Sequence, residues 1–463
     1  MAAHSPQPVA AQEPASGPKP AATAALTNTF GWHNGWRYGL MGLPLAFVAL
    51  PLYVLLPNHY ALHYGVPLAT LGALLLGARL LDAVIDPLLG RWCDRLYARS
   101  TRSVLAWAAA AALALGLGFS LLFFPPVQIG TGLLVWAAAC LLLTYAAYSL
   151  LSILHQSWGA LLGGDEVQRS RIFAWREGLG LLGVLLASVA PSLLGLGGTS
   201  ALLFVALGLG WWAWGRAVRP VIGAQQLGTA AAHAPAATPS HGGKPAVDRS
   251  SAALWQPFAN PAFRALLAVL MVNGIASAVP ATLILFFVQD RLQAPAATQP
   301  LFLGSYFLSA ALAIPLWLKL VGRIGLARTW GLGMLLAIAV FVFASQLGSG
   351  DTAAFLLVCA LSGVALATDL ALPSALLAGA IAAHGERGQA EGAYFGWWNF
   401  ATKLNLALAA GLALPALGWL GYAPGAQDAA ALQTLTFAYC LLPCALKLLA
   451  ATLLYTLIIR RNP

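Results

Sequence analysis

The chain has 463 residues, of which 60% are hydrophobic and 8% are charged, whereas about 25% of residues are charged in ordinary globular domains. This composition excludes a soluble enzyme, because too little polar sequence remains for a catalytic domain and no nucleophile and base occur at an interpretable spacing. About twelve apolar runs reach the roughly 20 residues that a bilayer-spanning helix needs. The sequence predicts an all-α membrane protein of about twelve transmembrane helices in two six-helix halves.

The formal net charge of +10 does not indicate nucleic-acid binding, because the basic residues are dispersed at the ends of apolar runs. The connections 58–66, 125–130 and 195–200 contain no lysine or arginine. By the positive-inside rule both termini are therefore cytoplasmic, in a multi-pass protein of a bacterial-type inner membrane. The basic residues follow the second, fourth, sixth and eighth spans: Arg91, Arg95, Arg99 and Arg102; Arg169 and Arg171; Arg216, Arg219, Lys244 and Arg249; Lys319, Arg323 and Arg328.

Composition divides the chain into four predicted segments. Residues 1–35, rich in Ala and Pro, lack the apolar core of a secretory signal and form a disordered cytosolic tail. Residues 36–215 form the first six-helix bundle and residues 256–463 the second. The Ala, Pro, Gly and His content of residues 216–255 cannot bury a core, so this segment is a cytosolic linker. Paired bundles are typical of large transporters, whose solute site lies between them.

The second span carries ionisable residues inside an apolar helix. Asp82 and Asp86 are one turn apart on one face, and Arg79 precedes Asp82 by three positions on the same stripe. Ionisable residues within a membrane span are costly and indicate a functional site. We predict a Na⁺ or H⁺ site at Asp82 and Asp86. The alternative is a structural ion pair between Arg79 and one carboxylate, which leaves the second carboxylate without a partner.

The end of the second span contains a glycine followed by an Asp-Arg pair. Gly90 precedes Asp94 and Arg95 in this segment, and the pattern resembles the signature of the major facilitator superfamily. The resemblance implies that the charges of this loop latch neighbouring helices in one conformation, so that Gly90, Asp94 and Arg95 form a gating loop. The alternative is that these charges only anchor the loop at the membrane surface.

The fourth span is interrupted by polar residues at helical spacing. Tyr145, Tyr148, Ser152 and His155 recur at spacings of three, four and three, and Gln156 follows directly. Such a face points towards other helices or a water-filled cavity, not towards lipid. We predict that these residues line the solute cavity and that His155 binds solute or relays a proton. A single tyrosine is alternatively an anchor at the membrane interface.

Two further spans carry ionisable residues of open role. In the fifth, Arg176 and Glu177 are adjacent, so they are not expected to face each other and must find separate partners. Stabilisation at the membrane interface and a functional role both remain open for them. In the tenth, Asp369 lies inside the apolar run, four residues before Pro373. Asp369 is predicted either to line the solute cavity or to cap a helix that the proline breaks.

The eleventh span contains a lysine deep inside an apolar helix. Lys403 follows Asn399 by one turn on the same face and Trp398 by five residues. A lysine near a helix end extends to the interface, but one at this depth is expected to contact an acid. We predict that Lys403 contacts Asp82 or Asp86 of the other half, and that Trp398 and Asn399 line the solute cavity.

Two stretches together resemble a known family. ARLLDAVIDPLLGRWCDR and AYFGWWNFATKLNLALAAGLALPALGWLGY are similar to the glycoside-pentoside-hexuronide:cation symporters, the group of the melibiose carrier within the major facilitator superfamily. The resemblance covers about residues 35–460 apart from the linker. It implies the major facilitator fold and cation-site carboxylates at Asp82 and Asp86 that Lys403 approaches. It also implies a family arginine at Arg176, which is expected to act in gating with Gly90, Asp94 and Arg95.

The chain departs from the sugar-carrying members of that group at two acidic positions. Their acids in the first and fourth spans fall near Leu45 and Ala46 and near Leu151 and Ser152, where this chain has no acid. Carboxylates accept the several hydrogen bonds that hydroxyl-rich sugars donate. We therefore expect the coupling site to be retained without the sugar site.

The sequence thus predicts a secondary active transporter that couples H⁺ or Na⁺ to symport of an organic solute by alternating access of its halves. A sugar or glycoside remains a candidate solute. Two alternatives stay open: an exporter or flippase of an amphipathic, lipid-like molecule, and a transport-inactive receptor or scaffold. The expected partners of a monomeric chain are a small solute, a monovalent cation and the bilayer, without cofactor, nucleic acid or further metal.

Overall fold

The computed structural model describes residues 30–127, 129–220 and 254–461. Most of the predicted tail and linker, including Lys244 and Arg249, lies outside the described residues, and the predicted segment boundaries stay predictions. The elements in the described part are helices, without a strand. The predicted all-α class is therefore confirmed.

Twelve helices cross the bundle in the described part of the chain. The N-terminal half consists of α1 (Trp32–Tyr64), α2 (Leu68–Arg99), α3 (Thr101–Phe123), α4 (Gly130–Leu162), α5 (166–194) and α6 (196–215). The C-terminal half consists of α7 (Pro261–Arg291), α8 (Gln299–Ile324), α9 (Leu326–Ala344), α10 (Thr352–Ala383), α11 (Glu391–Trp419) and α12 (Ala429–Ile459). A short 3-10 helix, Gln256–Ala259, precedes α7.

Hydrophobic length explains most of these helices. In the described ranges, ten helical segments are long and apolar enough to cross a membrane, and α2 is a further crossing that contains Arg79, Asp82 and Asp86. The helices α5 and α6 follow each other without an intervening loop over Glu166–Gly215, and the helical backbone is interrupted only at Gly195 in this range. The φ of 64° at Gly195 is a left-handed conformation that glycine adopts without steric cost.

Glycines allow α1 and α5 to pack closely. A Cβ at Gly42 would collide with the carbonyl oxygen of Arg176, and a Cβ at Gly183 would collide with that of Leu43. Close approach through small residues is typical of membrane helices, where van der Waals contact and not hydrophobic burial holds helices together. This packing fixes the segment of α5 from Arg176 to Gly183 against α1.

The two halves are in backbone contact where α2 and α11 cross. Gly90 and Gly392 approach so closely that a Cβ on either glycine would collide with the carbonyl oxygen of the other. We call this end of the bundle the basic end, because Arg91, Arg95 and Arg99 of α2 lie there. Larger residues at these two glycines would push the halves apart.

Further polar contacts join the halves at the basic end. The Arg387 guanidinium donates a hydrogen bond to the carbonyl oxygen of Leu161 at 2.9 Å, and the main-chain N–H of Leu326 donates to the Glu166 carboxylate at 2.9 Å. Among the described residues, hydrogen bonds between the halves occur at this end and at Lys403 deeper in the bundle. The structure is therefore closed at the basic end.

Candidate functional site

Three helices bring their buried polar side chains together around Lys403. Its ammonium group lies 2.6 Å from Asp82 Oδ2 and 2.8 Å from Asp86 Oδ2. It also donates hydrogen bonds to Asp86 Oδ1 at 2.9 Å and to Ser149 Oγ at 2.7 Å. The Ser149 hydroxyl in turn donates to Asp82 Oδ1 at 2.8 Å. We call Asp82, Asp86, Ser149 and Lys403 the charge cluster; it links α2 and α4 of one half to α11 of the other.

The charge cluster has an unbalanced negative charge. Asp82 and Asp86 are 5% and 0% exposed, and the single ammonium of Lys403 faces both carboxylates, so the ionised cluster carries a charge of −1. Although Asp86 Oδ2 lies close to this ammonium, it accepts no hydrogen bond in the described part of the chain. Removing a carboxylate from water costs several kcal/mol unless its charge and hydrogen bonds are balanced. One additional monovalent cation would balance the charge of the cluster.

Arg79 does not form the ion pair that the sequence left as an alternative. Its guanidinium carbon lies 3.8 Å from the centre of the Tyr53 ring of α1, and no ion pair of Arg79 with either carboxylate occurs among the described residues. A cation above an aromatic face is attracted by the ring quadrupole. The spacing of Arg79 and Asp82 on α2 gave no sign of this partner, because Tyr53 belongs to another helix.

The predicted polar stripe of α4 packs mainly against other helices. His155 is fully buried, stacks on the Tyr38 ring at 4.2 Å between centroids and contacts Trp214 edge-on. Its Nε2 lies 2.8 Å from the Tyr38 carbonyl oxygen. Because the rings of α1 and α6 enclose His155, it does not face a cavity here, and that part of the expectation is corrected. Its neighbour Gln156 is also buried.

The remaining stripe residues lie closer to the charge cluster. Tyr145 and Ser152 are buried, and Tyr148 is partly buried. Ser149, which the sequence analysis did not single out, is the α4 residue that enters the cluster. Its positions four after Tyr145 and three before Ser152 place it on the same helical face, so the stripe itself contained the signal.

Arg176 and Glu177 pair with each other, contrary to the expectation of separate partners. Arg176 Nη1 contacts Glu177 Oε1, and Nη2 donates a hydrogen bond to Ser152 Oγ at 3.3 Å. Their Cβ atoms point in different directions, but both side chains are long enough to bend towards each other. Since these partners all belong to the N-terminal half, Arg176 is not part of the contact at the basic end.

The predicted gating residue Asp94 crosses between the halves. Its carboxylate accepts hydrogen bonds from the main-chain N–H groups of Gly392 at 2.6 Å and Ala393 at 2.9 Å. These groups belong to the first turn of α11, where unpaired N–H groups and the helix dipole favour an anion. Arg95 is exposed. These hydrogen bonds therefore join Asp94 to α11, the helix that carries Lys403.

A second buried ion pair lies within the C-terminal half. Lys447 of α12 contacts Asp369 of α10 at 2.9 Å, and Asp369 also accepts hydrogen bonds from Asn273 at 3.0 Å and Trp330 at 2.8 Å. The helix α10 continues through Pro373, so Asp369 is not a helix cap and that alternative is wrong. Lys447 was not predicted as the partner of Asp369, although it lies inside an apolar helix as Lys403 does.

The other predicted cavity residues lie on α11. Trp398 is buried and Asn399 is partly exposed one turn before Lys403. A cavity of about 230 Å³ borders the charge cluster, with Arg79 and Lys403 as its charged lining residues. Its remaining lining is apolar and comes from α2 and α11. No group of three or more His, Cys, Asp or Glu side chains suited to a metal occurs in the described ranges.

Known proteins resemble the chain over different lengths. A family model for MFS/sugar transport proteins matches residues 37–461. The chain is 29% identical over 153 residues to the putative glycoside/cation symporter YagG and 29% identical over 126 residues to the inner membrane symporter YicJ, both of Escherichia coli K12. These stretches are 33% and 27% of this chain and the same shares of the relatives, so the chain matches a third or less of their length.

Solved structures share the fold. A bacterial homologue of the iron transporter ferroportin in an outward-facing state has a TM-score of 0.63 and 16% identity, over 92% of this chain and 98% of that chain. The Escherichia coli fucose:proton symporter FucP has a TM-score of 0.62 and 13% identity, over 93% and 98%. The predicted major facilitator fold is thereby confirmed. Because the family match extends over most of its length, the chain belongs to the MFS/sugar transport proteins of the major facilitator superfamily, within the predicted glycoside-pentoside-hexuronide:cation symporter family.

Proposed function

We propose that this membrane transporter is a cation-coupled symporter of an organic solute, in which one Na⁺ or H⁺ binds at Asp82 and Asp86 in exchange for Lys403. The observation that carries the proposal is the Lys403 ammonium held by both carboxylates across the interface of the halves, at 2.6 and 2.8 Å. The names of YagG and YicJ, which describe symporters, support the same class of function.

The charge of the cluster supports a stoichiometry of one monovalent cation. Asp82, Asp86 and Lys403 together carry −1, and either one proton or one Na⁺ brings this charge to zero. Carboxylate and hydroxyl oxygens suit a hard cation, and Asp82, Asp86 and Ser149 offer such oxygens at one place. Because enclosing an uncompensated charge in the membrane is costly, the cation favours conformations in which the site is shut off from water.

The connection of the cluster to both halves gives the cation a route to the conformational change. Lys403 ties α11 to α2, so a cation that takes its place on the carboxylates removes one link between the halves. A ligand shifts a conformational equilibrium only through such a difference in its interactions with the two states. We assign the basic end and both termini to the cytoplasm, by the positive-inside rule. The structure is then closed towards the cytoplasm.

A change at Asp94 should open the basic end. In Asp94→Ala, α11 loses two hydrogen bonds to a charged acceptor, each of which contributes about 1.5–3 kcal/mol net of the competing bonds to water. Cys93 is fully buried beside this contact, so we expect at least a tenfold faster reaction of Cys93 with a membrane-impermeant maleimide, in a variant that retains Cys93 and Cys140.

Two controls identify the cause of faster labelling. Arg95→Ala removes an exposed charge from the same loop and should leave the rate unchanged. Cys140 is buried within the N-terminal half, and faster labelling of Cys140 in Asp94→Ala would indicate unfolding. Equal Cys93 rates in Asp94→Ala and the parent protein would show that Asp94 does not hold the gate closed.

The cavity beside the cluster favours a second candidate, transport of an amphipathic molecule. Apart from Arg79 and Lys403, its lining is apolar and includes Leu80, Val84 and Phe400. Leu80 and Val84 are 46% and 62% exposed on the outer surface of α2. A molecule with an apolar body and an anionic head would match this lining. A sugar would find few acceptors there, since no carboxylate is among the lining residues.

A thermal-shift screen tests the proposed function and separates the candidates. Purified protein is heated with glycosides, organic acids, nucleosides or lysolipids, at two pH values, with and without Na⁺. We expect Na⁺ or acid to raise the melting temperature and the correct solute to raise it further only when that cation is present. A response to lysolipids that grows with acyl length would favour the second candidate. Absence of any response to Na⁺ and to pH would contradict cation coupling.

A further inference from the structure

The C-terminal half contains a cavity of its own. Its volume is about 190 Å³, and its lining residues all belong to α7, α8, α9, α10 and α12. Its walls are largely aromatic and aliphatic, and include Phe302, Tyr306, Phe341 and Tyr439. Since no residue of the N-terminal half or of α11 lines it, this cavity is distinct from the charge cluster.

The ion pair of Asp369 and Lys447 forms the polar wall of this cavity. The Asp369 carboxylate accepts hydrogen bonds from Asn273, Trp330, Lys447 and Ser277, so its acceptor sites are occupied. Lys447 donates to Asn273 Oδ1 and Asp369 Oδ2, both at 2.9 Å. An ammonium group has three N–H donors. One donor of Lys447 is therefore left without an acceptor among the described residues.

Three hydroxyl groups at the cavity also lack protein partners. Ser362 Oγ is buried without a hydrogen bond, and the hydroxyls of Tyr306 and Tyr439 make none within the described ranges. Buried polar groups are nearly always satisfied in folded proteins, by protein, water or ligand. The cavity thus combines a flat apolar wall with a small set of unpaired hydrogen-bonding groups, which is typical of small-molecule sites.

The charge and the volume of the cavity limit which ligands it can hold. Asp369 and Lys447 neutralise each other, so an ionised ligand would add an uncompensated charge inside the membrane, which is costly. An engineered cavity of about 150 Å³ holds benzene, so about 190 Å³ accommodates one ring with a small substituent. We propose that this cavity is a second ligand site for a small uncharged ring compound whose oxygen atom accepts a hydrogen bond from Lys447.

Acetophenone, a neutral ring with one acceptor, is the probe for this site. Titration into the purified full-length protein should show saturable binding with a Kd on the order of 1 mM, as expected for about ten non-hydrogen atoms. Toluene has the ring without the acceptor and should bind at least fivefold more weakly. Benzoate has the same ring with a charge and should not bind at matched concentration. These comparisons use the unaltered protein and so do not depend on the folding of a variant.

Variants in which a larger side chain fills the cavity supply the second part of the test. Ser362→Phe on α10 and Ala337→Phe on α9 each place a ring in the cavity from a different wall, and each should weaken acetophenone binding at least tenfold. Asp82→Asn/Asp86→Asn, at the charge cluster, should leave it unchanged. A cavity that holds only water would give no saturable signal with any compound. Equal binding of acetophenone and toluene, or binding that survives both filling variants, would overturn the proposal.

Discussion

Replacement of both Asp82 and Asp86 by asparagine is expected to abolish cation-driven accumulation of solute while leaving the protein folded in the membrane. The amide oxygens still accept hydrogen bonds from Lys403 and Ser149, but the charge of the cluster changes from −1 to +1. A site of positive charge no longer attracts Na⁺ or a proton. The variant should therefore transport solute only down its own gradient.

Proteoliposomes with a tenfold inward cation gradient measure this effect, using a solute found in the thermal-shift screen. With one cation per solute and no membrane potential, the unaltered protein can concentrate solute up to about tenfold, because a tenfold gradient stores about 1.4 kcal/mol. The double variant should reach a ratio of about one. Asp351→Asn makes the same chemical change at an exposed acid and should behave as the unaltered protein. Accumulation that persists in the double variant would refute the coupling role.

Loss of the lysine should destabilise the protein strongly. Lys403→Met leaves two buried carboxylates without their cation, and breaking a buried ion pair by removing one partner typically costs about 3–5 kcal/mol. In the Asp82→Asn/Asp86→Asn background the same substitution should cost less than about 1 kcal/mol, because no carboxylate is left unpaired. Unfolding free energies of the four proteins give the coupling energy between lysine and acids directly.

An exposed cation provides the matched control for this cycle. Arg95→Met removes an arginine from the surface of the basic end and should change the free energy of unfolding by no more than about 0.5 kcal/mol in either background. If Lys403→Met costs the same with and without the two acids, Lys403 stabilises the protein by packing. The charge cluster would then not be an energetic unit.

Much of the candidate site was predictable because charge is rare in this chain. An ion inside a membrane needs a counter-ion, and few candidates exist for Asp82, Asp86 and Lys403, so their contact followed from the sequence. The pair Asp369 and Lys447 obeys the same rule. It escaped prediction because Asp369 was not matched with a counter-ion, although Lys447 lies inside an apolar helix as Lys403 does.

The fold was predictable from hydrophobic length, whereas the environment of individual side chains was not. Helical spacing correctly placed His155 on a buried face but does not distinguish a cavity from a packed interface. Tyr38 and Trp214, contributed by two other helices, decide this by enclosing the imidazole. In the same way, the Tyr53 ring of α1 contacts the Arg79 guanidinium of α2. Such contacts depend on how the helices are rotated relative to each other in the bundle. The spacing of residues along one helix does not contain this information.

In the proposed mechanism, a mobile cation and Lys403 compete for the same two carboxylates. Cation affinity in Lys403→Gln tests it most directly, by titration of Na⁺ and, in Na⁺-free buffer, of protons. Removal of the competing ammonium changes the cluster charge from −1 to −2, so the coupling cation should bind at least tenfold more tightly than in the unaltered protein. Unchanged or weaker binding in Lys403→Gln would contradict it.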